Sequence, residues 1–117
     1  MKKFESNQEF FDATWHWLVV ENHPKCADPK TGRCHYRDHQ NGTTCVIGAF
    51  IPEELYHDDM LTGIKWLVDM DPKLQAWFEH VDRHLLVEVQ KVHDENELDR
   101  QEVMGKIARW FTLTVPV

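Results

Sequence analysis

The sequence predicts a mainly α protein: a small single-domain helical bundle of residues 1–117, with a long cysteine- and histidine-containing loop at residues 23–44 and room for a short β element. Three observations lead to this fold class. The length fits one domain with an ordinary core. A hydrophobic content of 42%, with five tryptophans and six phenylalanines, can fill that core. Helix-capping sequences followed by apolar residues at helical spacing recur along the chain.

The first helix is predicted over residues 7–22. Ser6 followed by Glu9 forms a capping box, and His23 with Pro24 ends the pattern. Apolar side chains surround most of this helix, so it is either central to the domain or covered by a second copy of the chain. We expect a central helix, and a homodimer is the alternative.

In the middle of the chain, the sequence of residues 43–55 predicts short helices. Thr43 or Thr44 can cap a helix that begins at Cys45. Pro52 either ends that helix or begins a further turn through Leu55.

Two more helices are predicted before residue 92. One covers residues 59–68, and the next begins at Asp71 and Pro72. Residues 85–92 also alternate between apolar and polar types, so a strand is the alternative there. The apolar face of the helix that begins at Asp71 and Pro72 is predicted to consist of Leu74, Trp77, Phe78, Val81 and Leu85.

A last helix is predicted to run to about residue 111. Asp99 with Glu102 forms a second capping box. The final residues, 112–117, are expected as an edge strand or as an extended tail against the core. The inner face of the last helix is predicted to contain Val103, Ile107, Trp110 and Phe111.

The net charge of −7 is unevenly distributed. Residues 1–50 contain six acidic and six basic residues, so the excess lies in residues 51–117, where fourteen acids face seven bases. Direct nucleic-acid binding requires the opposite sign along one face, so this function is disfavoured. An acidic surface fits a basic protein partner, although acidity also serves solubility alone.

The chain is expected to be cytoplasmic. It contains no apolar run long enough to span a membrane, and acidic residues follow Lys2 and Lys3 where a signal peptide needs an apolar stretch. Reduced thiols are therefore expected, and an odd count of three cysteines argues against a disulfide framework.

Three short motifs carry a resemblance: "CVIGAF", a later "VHDEN", and the capped terminal helix "DRQEVMGKIARWF". Together they resemble a family of small uncharacterised bacterial and phage proteins. The resemblance implies a mostly helical fold and a bacterial or viral origin, and it implies no activity. The chain departs from the family pattern at His93, where the family tends to have asparagine.

The loop at residues 23–44 has the composition of a zinc site. Zinc is held by four thiolate or imidazole ligands, and ligands two to five residues apart let a loop wrap the ion. Cys26, Cys34 and His39 are the expected ligands, although the spacing of the two cysteines matches no standard zinc finger. Such a metal would order a long irregular stretch. The alternative is a metal-free loop or hairpin with incidental cysteines.

Cys45 is the candidate nucleophile. A cysteine at the first turn of a helix has a lowered thiol pKa, and a histidine such as His93, with Asp94 beside it, could act as its base. However, "CVIGAF" is also an apolar stretch suited to a buried structural role, and this interpretation is preferred. The sequence contains no glycine-rich phosphate loop and no Gly-x-Ser-x-Gly motif.

The leading functional hypothesis is therefore a small acidic interaction protein of a phage-encoded kind that binds and modulates, or inhibits, a host or viral protein. It rests on the small size, the acidic second half and the many aromatic residues, which are frequent anchors of protein contacts. Two alternatives stay open: a thiol-dependent hydrolase or transferase using Cys45, and a zinc-stabilised binding module. No membrane partner and no other cofactor are expected.

Overall fold

The structure is a computed structural model that describes residues 2–23, 37–38, 43–56, 68–94 and 99–116, with the backbone alone at 37–38, 43–44 and 94. Within these ranges no helix reaches the length and apolarity of a membrane span. The mainly α class is confirmed. The elements are α1 (Asn7–Trp15), continued by a π-helical turn (His16–Val20), β1 (Arg37–Asp38), β2 (Thr43–Thr44), α2 (Val46–Ala49), a 3-10 turn (Glu53–Leu55), α3 (Pro72–Trp77), α4 (Arg83–Asp94) and α5 (Arg100–Trp110).

β1 and β2 pair antiparallel, with Arg37 opposite Thr44 and Asp38 opposite Thr43. This short ladder is the β element of the described residues, and it lies inside the segment predicted as a loop. The strand considered at residues 85–92 is wrong, because these residues are part of α4.

Side-chain caps begin three of the helices at the predicted positions. Ser6 Oγ accepts a hydrogen bond from the amide three residues ahead at 3.1 Å. Asp71 Oδ1 accepts from the amide two residues ahead at 3.0 Å, and Asp99 Oδ1 accepts from the amide three residues ahead at 3.1 Å. Each cap satisfies an amide that has no partner inside its helix.

The helix predicted to continue from residue 71 past residue 85 is divided in two. α3 ends at Trp77, and α4 begins at Arg83 after a turn. The carboxylate of Asp82 accepts from the amide of His84 at 2.7 Å, while Asn7 Oδ1 accepts from the amide of Asp82 at 2.7 Å. The start of α4 is therefore supported by a local contact of the kind made by Asp71 and by a long-range contact from the start of α1.

The core lies between α4, α1 and α5. α4 contacts both α2 and α5, and α1 contacts α5. α1 packs against this core along one side, where Phe10, Phe11, Thr14 and Trp15 are buried, whereas Glu9 and Asp12 are exposed, so the expectation of an all-round buried central helix is wrong. The buried hydrophobic residues include Phe10, Phe11, Leu18, Ile47, Ile51, Leu74, Phe78, Leu85, Leu86, Val89, Val92 and Met104.

The tail returns to the first helix, as expected for an extended segment. Gln8 Nε2 donates to the carbonyl oxygen of Thr114 at 2.8 Å, and the amide of Thr114 donates to Gln8 Oε1 at 2.9 Å. The helix predicted at residues 59–68 lies, except for its last residue, outside the described residues. Residues 68–70 are helical.

Candidate functional site

The junction at which α2 begins against α4 contains two of the candidate residues from the sequence. The amide of Val46 donates to His93 Nδ1 at 3.2 Å. The next amide, of Ile47, donates to Gln90 Oε1 at 3.3 Å. Side chains of α4 thus supply the acceptors that a helix needs at its first amides. We call these four residues together with Cys45 the α2 junction.

Cys45 itself occupies the capping position of α2. Its backbone is extended, with φ −68° and ψ 157°, and its side chain makes no capping hydrogen bond. The expectation that Thr43 or Thr44 caps this helix is wrong, because both threonines belong to β2. The acceptors come instead from residues more than forty positions further along the chain.

Trp17 connects the α2 junction to the end of the first helical region. The ring of His23 stacks on Trp17 with centroids 4.2 Å apart and an interplanar angle of 20°. The ring of His93 meets Trp17 edge-on, with centroids 4.8 Å apart and an angle of 80°. His23 Nε2 also lies 3.5 Å from a carboxylate oxygen of Glu21. His23, at the end of the first helical region, and His93, which accepts from the first amide of α2, therefore contact the same indole ring.

Cys45 is disulfide-bonded. The expectation of reduced thiols is therefore wrong for Cys45. An odd number of cysteines does not exclude a disulfide, because three cysteines can form one bond and leave one cysteine over. The two other cysteines, Cys26 and Cys34, lie outside the described residues. Cys45 is only 1% exposed and His93 is fully buried.

The geometry of Cys45 and His93 is that of a structural junction. Nucleophilic catalysis requires a thiolate and a base that a substrate can reach. A disulfide sulfur is no thiolate while the bond is intact, and both residues are enclosed by the core. Asp94 is the last residue of α4, and the structure describes its backbone but not its side chain.

The expected zinc ligands Cys26, Cys34 and His39 all lie outside the described residues. Among the residues that are described, no three histidine, cysteine or acidic side chains are arranged to hold a metal ion. The disulfide bears on the zinc hypothesis, because a cysteine bonded to Cys45 has no thiolate to give to zinc.

A second candidate site is an apolar groove between α4 and α5, which sequence reasoning did not predict. Its volume is about 370 Å³. Trp110 stands beside it and is 82% exposed. We call it the Trp110 groove, and its lining consists of His84, Glu88, Val103, Lys106, Ile107, Trp110 and Phe111.

The position of Trp110 corrects the predicted inner face of the last helix. Ile107 is buried as expected, whereas Val103 and Phe111 are half-buried and Trp110 faces outward. The buried face instead passes through Met104 and Ala108, which turns α5 by about one residue relative to the prediction.

The charged side chains of the groove have partners nearby. Glu88 pairs with Lys91 at 3.3 Å, and Lys106 pairs with Glu102 at 3.7 Å, each within its own helix. Such exposed pairs contribute little to stability. They do, however, neutralise the charges of Glu88 and Lys106 on the two sides of the groove, so the surface between these sides is mainly apolar.

A further hollow, of about 410 Å³, is more acidic in character and adjoins the start of α3. Glu54 and Tyr56 line it from one side and Pro72 and Lys73 from the other. Asp71 also lines it, but its carboxylate accepts the capping hydrogen bonds of α3. Its lining therefore includes two acidic side chains and one basic one.

Comparison with known proteins gives no relative from which a role could be transferred. The chain matches no protein family profile, no curated protein and no solved structure. Interpretation therefore rests on the two sites themselves.

Proposed function

We propose that this chain is a small protein-interaction module that binds a partner protein through the Trp110 groove and modulates the partner's activity. The observation that carries the proposal is the 82% exposure of Trp110 beside an apolar groove. A tryptophan left in water forgoes a large hydrophobic gain, because such a side chain can bury about 150–250 Å².

The groove fits known features of protein recognition. Tryptophan is enriched among the residues that dominate binding energy, and it acts most strongly beside a well-formed pocket. A groove between two helices accepts an amphipathic helix, whose apolar side chains at successive turns fill the floor. Ile107 and the half-buried Val103 and Phe111 supply that floor.

The charge of the chain supports a basic partner. The net charge is −7, and the acidic excess lies in the half of the sequence that includes α3, α4 and α5. Because the rims of the groove are neutralised locally, this charge would act mainly on approach, by raising the association rate with a basic protein. Glu53 and Glu54 are exposed and contribute to it.

The proposal includes the setting predicted from the sequence. The resemblance to small bacterial and phage proteins supports a host or viral protein as the partner. A second copy of the chain would also be able to cover the groove, so the experiment must separate these occupants.

The proposal is tested by capture from a lysate of the cells that naturally produce the protein. Tagged wild type is compared with Trp110→Ala and with Met70→Ala, which removes a side chain that is 75% exposed elsewhere. We expect wild type and Met70→Ala to retain the same partner. Trp110→Ala should weaken binding about 30-fold, as for a residue whose truncation costs about 2 kcal/mol.

Two results of the capture would contradict the proposal. Equal retention of the partner by Trp110→Ala would show that the groove is not the binding surface. Retention of nothing except further copies of the chain would replace the host or viral partner with a homo-oligomer.

A further inference from the structure

We propose that the partner segment in the Trp110 groove is an amphipathic helix with a basic side chain, preferably an arginine, that pairs with Glu88. This inference rests on the proposed function and deepens it, because it names the chemistry of the partner segment and the residue that selects it. It starts from the unequal walls of the groove: the wall supplied by α4 is polar, and the wall supplied by α5 is mainly apolar.

The α5 wall provides an apolar surface that extends along the helix. Val103, Ile107 and Trp110 follow one another at helical spacing, and Phe111 adjoins them. The indole of Trp110 is 82% exposed. A partner helix would therefore bury its apolar side chains against this wall.

The α4 wall presents one carboxylate and one imidazole. Its lining residues are His84 and Glu88, which are four positions apart and thus neighbours on one face of the helix. Among the described residues that line the groove, Glu88 is the acidic one. A helix whose apolar face lies on the α5 wall turns one flank toward this carboxylate. A basic residue on that flank would complement its charge.

The ion pair that Glu88 makes in the free protein leaves its carboxylate available to a partner. Lys91 Nζ lies 3.3 Å from this carboxylate, and Lys91 is not among the lining residues of the groove. The side chains of Glu88 and Lys91 are 46% and 59% exposed, so water screens the pair and it contributes little free energy. An arginine on a partner helix can bind a carboxylate through two parallel hydrogen bonds. It can therefore displace Lys91.

The direction of the two helices sets the spacing of the recognition elements in the partner. α4 ends at Asp94 and α5 begins at Arg100, so the short connection makes the helices antiparallel along the groove. His84, in the first turn of α4, therefore lies at the same end of the groove as Trp110, and Glu88 lies about one turn further along. We expect the basic side chain three or four positions from the apolar side chain that contacts Trp110.

Lys106, on the opposite wall, restricts the basic residue to one flank of the partner helix. Its Nζ lies 3.7 Å from a carboxylate oxygen of Glu102, and its side chain is 63% exposed. A partner helix with basic residues on both flanks would place one of them beside Lys106, where like charges repel. The preferred segment therefore has its basic residue on the flank that faces α4.

The first test selects peptides that bind the whole protein. The probe is a displayed library of peptides of about 16 residues, because shorter isolated helices are only marginally stable in water. Each peptide has apolar residues at helical spacing on one face and random residues on both flanks. Peptides that bind wild type but not Trp110→Ala should carry arginine or lysine on one flank, one turn from an apolar residue. With Glu88→Arg as the target, the same flank should carry aspartate or glutamate.

Two results of the selection would overturn the inference, and they differ in their consequence for the proposed function. If no peptide distinguishes wild type from Trp110→Ala, the groove binds no helix, and the inference fails together with the proposed function. If the groove-dependent peptides show no preference for a basic flank, or keep that preference with Glu88→Arg, the pairing with Glu88 alone is wrong.

The second test measures the affinity of the strongest selected peptide by fluorescence anisotropy. Glu88→Gln should weaken binding about tenfold, because a hydrogen-bonded contact between charged groups is lost. Glu53→Gln, the control, removes the same charge from an exposed position outside the groove and should change affinity by less than about twofold. Lys91→Met should strengthen binding about twofold, because Glu88 loses its competing partner. Equal effects of Glu88→Gln and Glu53→Gln, or weaker binding to Lys91→Met, would overturn the inference.

Discussion

The backbone amide of Val46 donates a hydrogen bond to Nδ1 of His93, across 47 residues of sequence. Since Nδ1 accepts this bond, it carries no proton, and the neutral ring holds its proton on Nε2. The imidazole is fully buried and meets the ring of Trp17. His93 therefore acts as a cap for α2 supplied by another helix.

Replacing this cap should destabilise the protein. His93→Leu keeps an apolar side chain of similar size but leaves the amide of Val46 buried without an acceptor. We expect the free energy of unfolding to fall by about 1–3 kcal/mol, as measured by urea denaturation. His80→Leu, at an exposed position, is the control and should change stability by less than about 0.5 kcal/mol. Equal effects of the two variants would contradict the capping role.

Arg100 should contribute to stability more than Arg109, although both lie on α5. Burial lowers the pKa of Arg100, and its guanidinium bonds to Leu18 and Asn22. Arg100→Met removes both bonds, and we expect a loss of about 1–2 kcal/mol in thermal or urea unfolding. Arg109→Met, at an exposed position, should cost less than about 0.5 kcal/mol. A reversed order would show that α5 is not attached to the first helical region in this way.

Trp110 and Ile107 should differ sharply when each is replaced by alanine. Ile107 is buried, so Ile107→Ala should cost about 2–5 kcal/mol of stability. Trp110 faces solvent, so Trp110→Ala should leave the free energy of unfolding within about 0.5 kcal/mol of wild type. A large loss of stability in Trp110→Ala would mean that this side chain serves the fold rather than binding.

Lys3 determines the titration of Glu79. The hydrogen bond from Lys3, followed by the charge of Lys3, lowers the pKa of Glu79 below its usual 4.5. A lowered pKa means that the pair stabilises the folded state above pH 4.5 and that this stabilisation is lost as the pH falls through the folded-state value.

Lys3→Met should therefore raise the pKa of Glu79, as followed by NMR of its carboxyl carbon, because the two largest causes of its lowering are removed. The control is Lys2→Met, since Lys2 pairs with Glu5 and not with Glu79. An unchanged titration of Glu79 in Lys3→Met would show that the ion pair does not form in solution.

Local chemistry accounts for the parts of the fold that could be predicted. Ser6, Asp71 and Asp99 cap their helices through amides two or three residues away, so the sequence pattern contains the whole interaction. The cap of α2 depends on His93 and Gln90, which no local pattern connects to Val46. The break between α3 and α4 combines a local contact, from the amide of His84 to Asp82, with a distant one from the amide of Asp82 to Asn7 of α1.

The candidate sites were predictable only in part. The sequence singled out Cys45 and His93, and the structure brings both to one junction, but the role differs because the cysteine is in a disulfide. The Trp110 groove was missed, because a turn of about one residue in α5 leaves Ile107 buried but moves Trp110 from the predicted buried face to solvent. Helical spacing alone does not fix that rotation when apolar residues such as Val103 and Met104 are adjacent.

The central claim, that the Trp110 groove binds a partner protein, is tested most directly by site-specific crosslinking. A photoreactive amino acid is placed at position 110, and separately at exposed position 70, in cells that naturally produce the protein. We predict one discrete crosslinked protein with position 110 and none with position 70. No crosslink from position 110, or the same products from both positions, would contradict the account.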